Sequence, residues 1–202
     1  MMGGAFGAGL TQLMVNKSVI EELKITDEQK EKLATWAKDT VAKQREKMQE
    51  LFSGGDRPDP AKMQEMMATA AKEQMEEVSK VLKEEQVKRL KQITLQIQKF
   101  QALRSKETQV SLKLSDEQKD AIKEIGDAMQ KEMTELFPRP MQGDSPLTPE
   151  KRAENTKKRT ELSDKYFEKA KGQLKDDQKK TWEEMTGKAF TYVAEAPRRR
   201  DN

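Results

Sequence analysis

Apolar residues recur along this chain with a helical period and nowhere sustain the alternation of a strand. After Thr26, the positions Leu33, Trp36/Ala37, Thr40/Val41, Met48 and Leu51/Phe52 share one side of a continuous run, the three-and-four spacing of an amphipathic helix. The spacing returns after Ser115 at Ile122, Ile125, Met129, Met133 and Leu136/Phe137. Each run predicts a helix of about 25 residues, nearly 40 Å long at about 1.5 Å per residue. Each is followed by a Pro/Gly-rich turn, residues 53–59 and 138–148. Both turns end in an N-cap residue and a proline, Asp59-Pro60 and Thr148-Pro149, a strong helix-start signal because proline lacks the N–H that the first turn would leave unbonded.

The next predicted helix carries Met63, Met67, Ala70/Ala71, Val78 and Val81/Leu82 on one face. Its counterpart opens with KRAENTKKRTE, which has almost no apolar stripe before Leu162, Tyr166, Phe167 and Ala170, so that stretch is expected to project into solvent. From Val87 the pattern predicts one amphipathic helix through Leu90, Ile93, Ile97, Phe100 and Leu103. The second half ends sooner, at Trp182, Met185 and a C-capping Gly187.

The two halves match. Residues 16–29, NKSVIEELKITDEQ, align with 105–118, SKETQVSLKLSDEQ, and 81–90 with 173–182. The expected fold is therefore all-α, with tandemly duplicated long helical hairpins and no sheet. A flexible glycine-rich start is expected over residues 1–15, one repeat over 16–104, a second over 105–190, and a basic tail over 191–202; in the extended stretch after Gly187, Phe190, Tyr192 and Val193 can pack back.

Composition changes this picture little. Charged residues make up 37% of the chain and the apolar set 34%, against roughly 25% and 45–50% in an average domain. That balance suits helices that bury one stripe each. Thirty-nine basic residues face 36 acidic ones and the signs intermingle, as on solvated helix faces. A nucleic-acid binder segregates its positive charge; here only Arg198, Arg199 and Arg200 cluster, so no nucleic-acid partner is expected. With no cysteine and no histidine, thiolate and Ser-His nucleophile schemes are excluded, and the commonest general base and transition-metal ligand are missing. No cofactor and no catalytic residue are assigned, and the chain is read as a non-enzyme. No stretch reaches the roughly 18–20 apolar residues of a membrane span.

A five-residue phrase occurs four times: aliphatic, polar, two acids, Gln. The copies are ITDEQ ending at Gln29, LKEEQ at Gln86, LSDEQ at Gln118 and LKDDQ at Gln178. In the first and third, Thr26 with Gln29 and Ser115 with Gln118 fit the capping box, in which the cap hydroxyl and the N3 amide each bond the other's backbone N–H. The acids between them suit the positive end of the helix dipole. The second and fourth place Lys83 and Lys175 at the cap, where no acceptor exists, and predict a kink or tight helix junction there, made easier at the later one by Gly172.

This phrase, with the surrounding NKSVIEELKITDEQ, VLKEEQVKRLKQI and WEEMTGKAF segments, resembles the LTxxQ-motif proteins of the Spy/CpxP type, and among them duplicated LTxxQ-like proteins of planctomycetes. The resemblance covers most of residues 16–190; lysine at the Thr position in two copies departs from the pattern. It implies export to the periplasm, an envelope-stress context and a cradle-shaped dimer of bent hairpins. Some members hold unfolded polypeptides without ATP, and others sense envelope or metal stress.

Methionines bear on which of these applies. Met63, Met66, Met67 and Met75 crowd one predicted helix, and Met48 lies on the one before. Flexible thioethers can fill a core, line a groove that accepts varied clients, or bind Cu(I); all three stay open. The expectation is chaperone-like capture of unfolded or amphipathic polypeptide through a groove of Met48, Met63, Met66, Met67 and Met75. The alternatives are a self-associating helical scaffold, such as a homodimer, and a soft-metal sensor.

Overall fold

The computed structural model describes residues 9–53, 60–138 and 147–193, with the backbone alone at 51–53, 60–65, 67 and 68. Among these residues every regular element is a helix. In order they are α1 (Leu10–Met14), α2 (Lys17–Glu22), α3 (Asp27–Ser53), α4 (Pro60–Ser79), α5 (Glu84–Gln98), α6 (Phe100–Arg104), α7 (Lys106–Ser111), α8 (Asp116–Leu136), α9 (Pro149–Lys171) and α10 (Asp176–Thr186).

The chain forms two compact units, and the division falls between Thr94 and Leu95, inside α5. The first unit holds residues 9–94 and takes back residues 190–193. Here α1 packs on α2, α3 and α4, and Leu13, Val19, Leu33, Val78, Leu90 and Ile93 are buried. A flexible start was expected through residue 15, yet Leu13 and Met14 are each 1% exposed. Leu10, Leu13 and Met14 stand at three-and-four spacing, so one turn of helix buries both residues, each worth about 1.5–3 kcal/mol. Glycines upstream masked that short signal in the composition.

The second unit is Leu95–Ala189. Its core joins Phe100, Leu103, Leu112, Ile122, Met129 and Tyr166, among others, with Trp182. Helix α6 packs on α7, α8 and α9, and α8 packs on α9. Gly126 lets α8 approach closely: a Cβ there would lie 3.1 Å from the Phe100 ring.

The expected continuous helix from Val87 to Leu103 breaks at Lys99, which adopts φ 44°, ψ −109°. A non-glycine residue held there costs on the order of 1–3 kcal/mol. Burial of Phe100 and Leu103, 1% and 0% exposed, is of the size needed to offset it. Lys99 also pairs with Asp164 of α9.

Capping follows the local rules. Thr26 Oγ1 accepts from the Gln29 N–H and Gln29 Oε1 from the Thr26 N–H; Ser115 and Gln118 repeat the box. Thr148 accepts from the Lys151 N–H with Pro149 behind it. Four-residue turns, 80–83 and 172–175, lead into α5 and α10. Gly172 has a φ of −62° that suits any residue, but a Cβ there would lie 3.2 Å from the Lys169 carbonyl oxygen. Gly187 is different: its φ of 62° with ψ −154° ends α10 in a region that only glycine occupies readily. In α9, residues 151–161 are exposed except Asn155 and Arg159, which are half-buried. The Arg159 guanidinium covers the Phe137 ring at 4.1 Å.

Candidate functional site

The four phrases meet in two pairs. In the first unit, Gln29 Nε2 donates to Gln86 Oε1 at 2.9 Å, and Gln86 Nε2 donates back to Gln29 Oε1 at 3.2 Å. Each Oε1 also accepts the N–H at the start of its own phrase, Thr26 at 3.1 Å and Lys83 at 2.8 Å. Each Nε2 reaches into the turn that precedes the other phrase: Gln29 to the Val81 carbonyl at 2.9 Å, Gln86 to the Leu23 carbonyl at 3.0 Å.

In the second unit Gln118 and Gln178 do the same. Their amides exchange bonds of 2.7 and 3.0 Å, and their oxygens accept from Ser115 and Lys175. Gln118 Nε2 donates to the Gln173 carbonyl at 2.6 Å and Gln178 Nε2 to the Lys113 carbonyl at 3.4 Å.

The turns that receive these bonds are themselves alike. Lys24 and Lys113 sit at φ 50° and 51°. The Lys24 N–H bonds the Glu21 carbonyl and the Ile25 N–H the Ile20 carbonyl; Lys113 with Val110 and Leu114 with Gln109 repeat this. These are paired Schellman closures of short helices. Side-chain amide, cap and closure thus tie together two helix starts and the turns after two helix ends. Lys83 and Lys175 offer no acceptor, so only half of a capping box forms at each, and the other phrase's glutamine supplies what holds the junction. Both amide ends of all four glutamines are engaged, so Gln29 with Gln86 and Gln118 with Gln178 clamp helix junctions together.

The methionines lie elsewhere. Met48 on α3 is 37% exposed, and Met66 and Met75 on α4 are half-buried. The side chains of Met63 and Met67 lie outside the described residues, as do Leu51 and Phe52. Every residue from Val41 to Glu50 is exposed, with Val41 at 48%. Trp36 Nε1 donates to Glu77 at 2.7 Å, linking α3 to α4 nearer their buried ends. In the second unit Leu136 and Leu147 are exposed.

Two further arrangements escaped the sequence. Tyr166, 6% exposed, donates its hydroxyl to Glu132 at 2.6 Å, and Lys165 pairs with the same carboxylate. The Tyr166 hydroxyl, then Lys165, lower the Glu132 pKa, and Glu132 in turn raises that of the phenol. A recess of about 420 Å³ lies between α9 and α10 over Trp182 and Glu183. Its Lys171 and Lys179 are each paired, with Glu168 and Asp176, and Glu183 also lines it. Among the described residues no three acidic, His or Cys side chains converge as a metal site, and no helix is long and apolar enough to cross a membrane.

No protein-family model, curated protein or solved structure matches this chain.

Proposed function

We propose that this chain is an exported, non-enzymatic binding protein of the LTxxQ type, made of two tandem copies of one helical unit, that captures unfolded or amphipathic polypeptide. The duplication reading is supported by five helices in the same order in each half and by the same glutamine clamp at residues 89 and 92 positions apart. The observation that carries the binding reading is the far half of α3. There Val41 and Met48 stand in water on a long rod whose near half is well packed, and Met66 and Met75 of α4 remain half open. Flexible apolar side chains among intermingled charges suit weak, varied contacts with exposed client segments.

The purified chain should slow aggregation of chemically denatured clients at near-stoichiometric ratios without nucleotide. A Val41→Glu/Met48→Glu variant, altered only at exposed positions, should retain its helix content and lose most of that protection. Failure to protect any of several unrelated clients overturns the reading. A second reading, self-association as a scaffold or homodimer, draws on exposed Leu136 and Leu147. Light scattering that shows a defined oligomer, dissociated by Leu136→Glu, would favour it.

A further inference from the structure

After Gly187 the chain returns to the first unit, where Val193 is held at both its main-chain N–H and its carbonyl. Burial alternates: Phe190 and Tyr192 are half-buried while Thr191 and Val193 are exposed, the period of an extended segment with one face down. Val193 is held through its backbone, the residue as a whole being 59% exposed. Its carbonyl accepts from Asn16 Nδ2 at 2.9 Å, and its N–H donates to Ser18 Oγ at 3.3 Å. Asn16 and Ser18 together read both main-chain groups of one residue, as a neighbouring strand would.

The clasp is rigid. Asn16 is 3% exposed, and its Oδ1 accepts from the Ser18 N–H, the Ser18 hydroxyl and the Val19 N–H. The amide is therefore fixed in orientation before Val193 arrives, which lowers the ordering cost of binding. It is also specific to the first unit. Eighty-nine positions on stand Ser105 and Glu107; Ser105 has no amide donor, and its hydroxyl is engaged with Thr108.

We infer that Asn16 and Ser18 form the backbone-reading clasp of a binding site for extended polypeptide with aromatic residues at alternate positions, which residues 190–193 fill in cis as a competitor to client segments. Its biological use rests on the client-binding reading above; its geometry does not. A tether in the same chain supplies the competitor at high effective concentration, so outside peptides bind weakly until the tail is displaced.

The full-length chain with Tyr192→Ser and Val193→Pro should release the tail, since the first change removes an aromatic anchor and the second the backbone N–H. A fluorescent peptide of residues 188–197, KAFTYVAEAP, is then titrated by anisotropy. Saturable one-to-one binding is expected, about ten-fold or more tighter than to the unaltered chain. Adding Asn16→Asp keeps the acceptors that cap α2 but replaces the amide donor with a carboxylate facing the carbonyl. That addition should weaken the peptide by about ten-fold, roughly the loss of one charge-opposed hydrogen bond, with helix content unchanged. If Asn16→Asp impairs folding, Ser18→Ala replaces it and should weaken binding several-fold. Released chain that binds no tighter than the parent, or clasp variants without effect, overturns the proposal. The peptide titration and the aggregation assay fail separately: client protection without peptide binding removes this site alone, and peptide binding without client protection removes the broader function alone.

Discussion

Replacing Gln178 with methionine tests whether the paired phrases hold the fold. The residue is 6% exposed, so methionine preserves volume and removes the amide. Lost with it are the two bonds exchanged with Gln118, at 2.7 and 3.0 Å, and the bond to the Lys175 N–H at 2.9 Å. The 3.4 Å contact to the Lys113 carbonyl is long and adds little. At a net 0.5–1.5 kcal/mol per bond, less the gain from burying an apolar side chain, the loss should be about 2 kcal/mol. Gln118→Met removes the same two exchanged bonds plus those to Ser115 and Gln173 and should cost about as much. Because the exchanged bonds are shared, they are lost only once in the double variant. Urea unfolding of the parent, both single variants and the double should give a coupling energy of about 1–2 kcal/mol. Additivity within about 0.3 kcal/mol would show that the glutamines act independently and refute the clamp.

Gly187→Ala should destabilise the chain by about 1–3 kcal/mol, because φ 62° with ψ −154° is strained for any side chain; an unchanged melting temperature would mean that the α10 exit relaxes freely. The Glu132–Tyr166 pair should make stability depend on pH at both ends. Glu132 has a lowered pKa, so its contribution is present above the ordinary value of 4.5 and lost as pH falls through the lower folded value. Tyr166 has a raised pKa, so its contribution is present below 10.0 and lost as pH climbs through the higher folded value. Tyr166→Phe should remove the alkaline loss and reduce the acid one; a melting-temperature profile with the same two flanks in the variant refutes the assignment.

How much of this was legible from the residues depended on how far each interaction reaches. The long helices and the Thr26 and Ser115 boxes follow from residues three or four positions apart; α3, α8 and α9 begin at the predicted caps and α4 begins at Pro60, its predicted cap Asp59 lying outside the described residues. Helix α1 was missed because five residues carry too few apolar positions to stand out beside a glycine-rich start. The Lys99 break was missed because Ile97, Phe100 and Leu103 keep helical spacing across it; only the close approach of Phe100 to Gly126 shows why the chain turns there. Gly172 eases the later junction through space rather than through φ: its φ is −62°, but a Cβ there would lie 3.2 Å from the Lys169 carbonyl oxygen. For the candidate site, the residue types of the clamp were visible and their pairing was not.

Local chemistry by itself therefore settled that this protein is helical and where its long rods begin, since a helix bonds its own backbone within four residues and a cap reaches no farther. Tertiary structure alone decided that Gln29 meets Gln86 across 57 positions, that Gln118 meets Gln178 across 60, and that Val193 rests on Asn16 across 177. Those partners are brought together by burial of apolar faces, which is non-directional and leaves no mark in the spacing of the residues it joins.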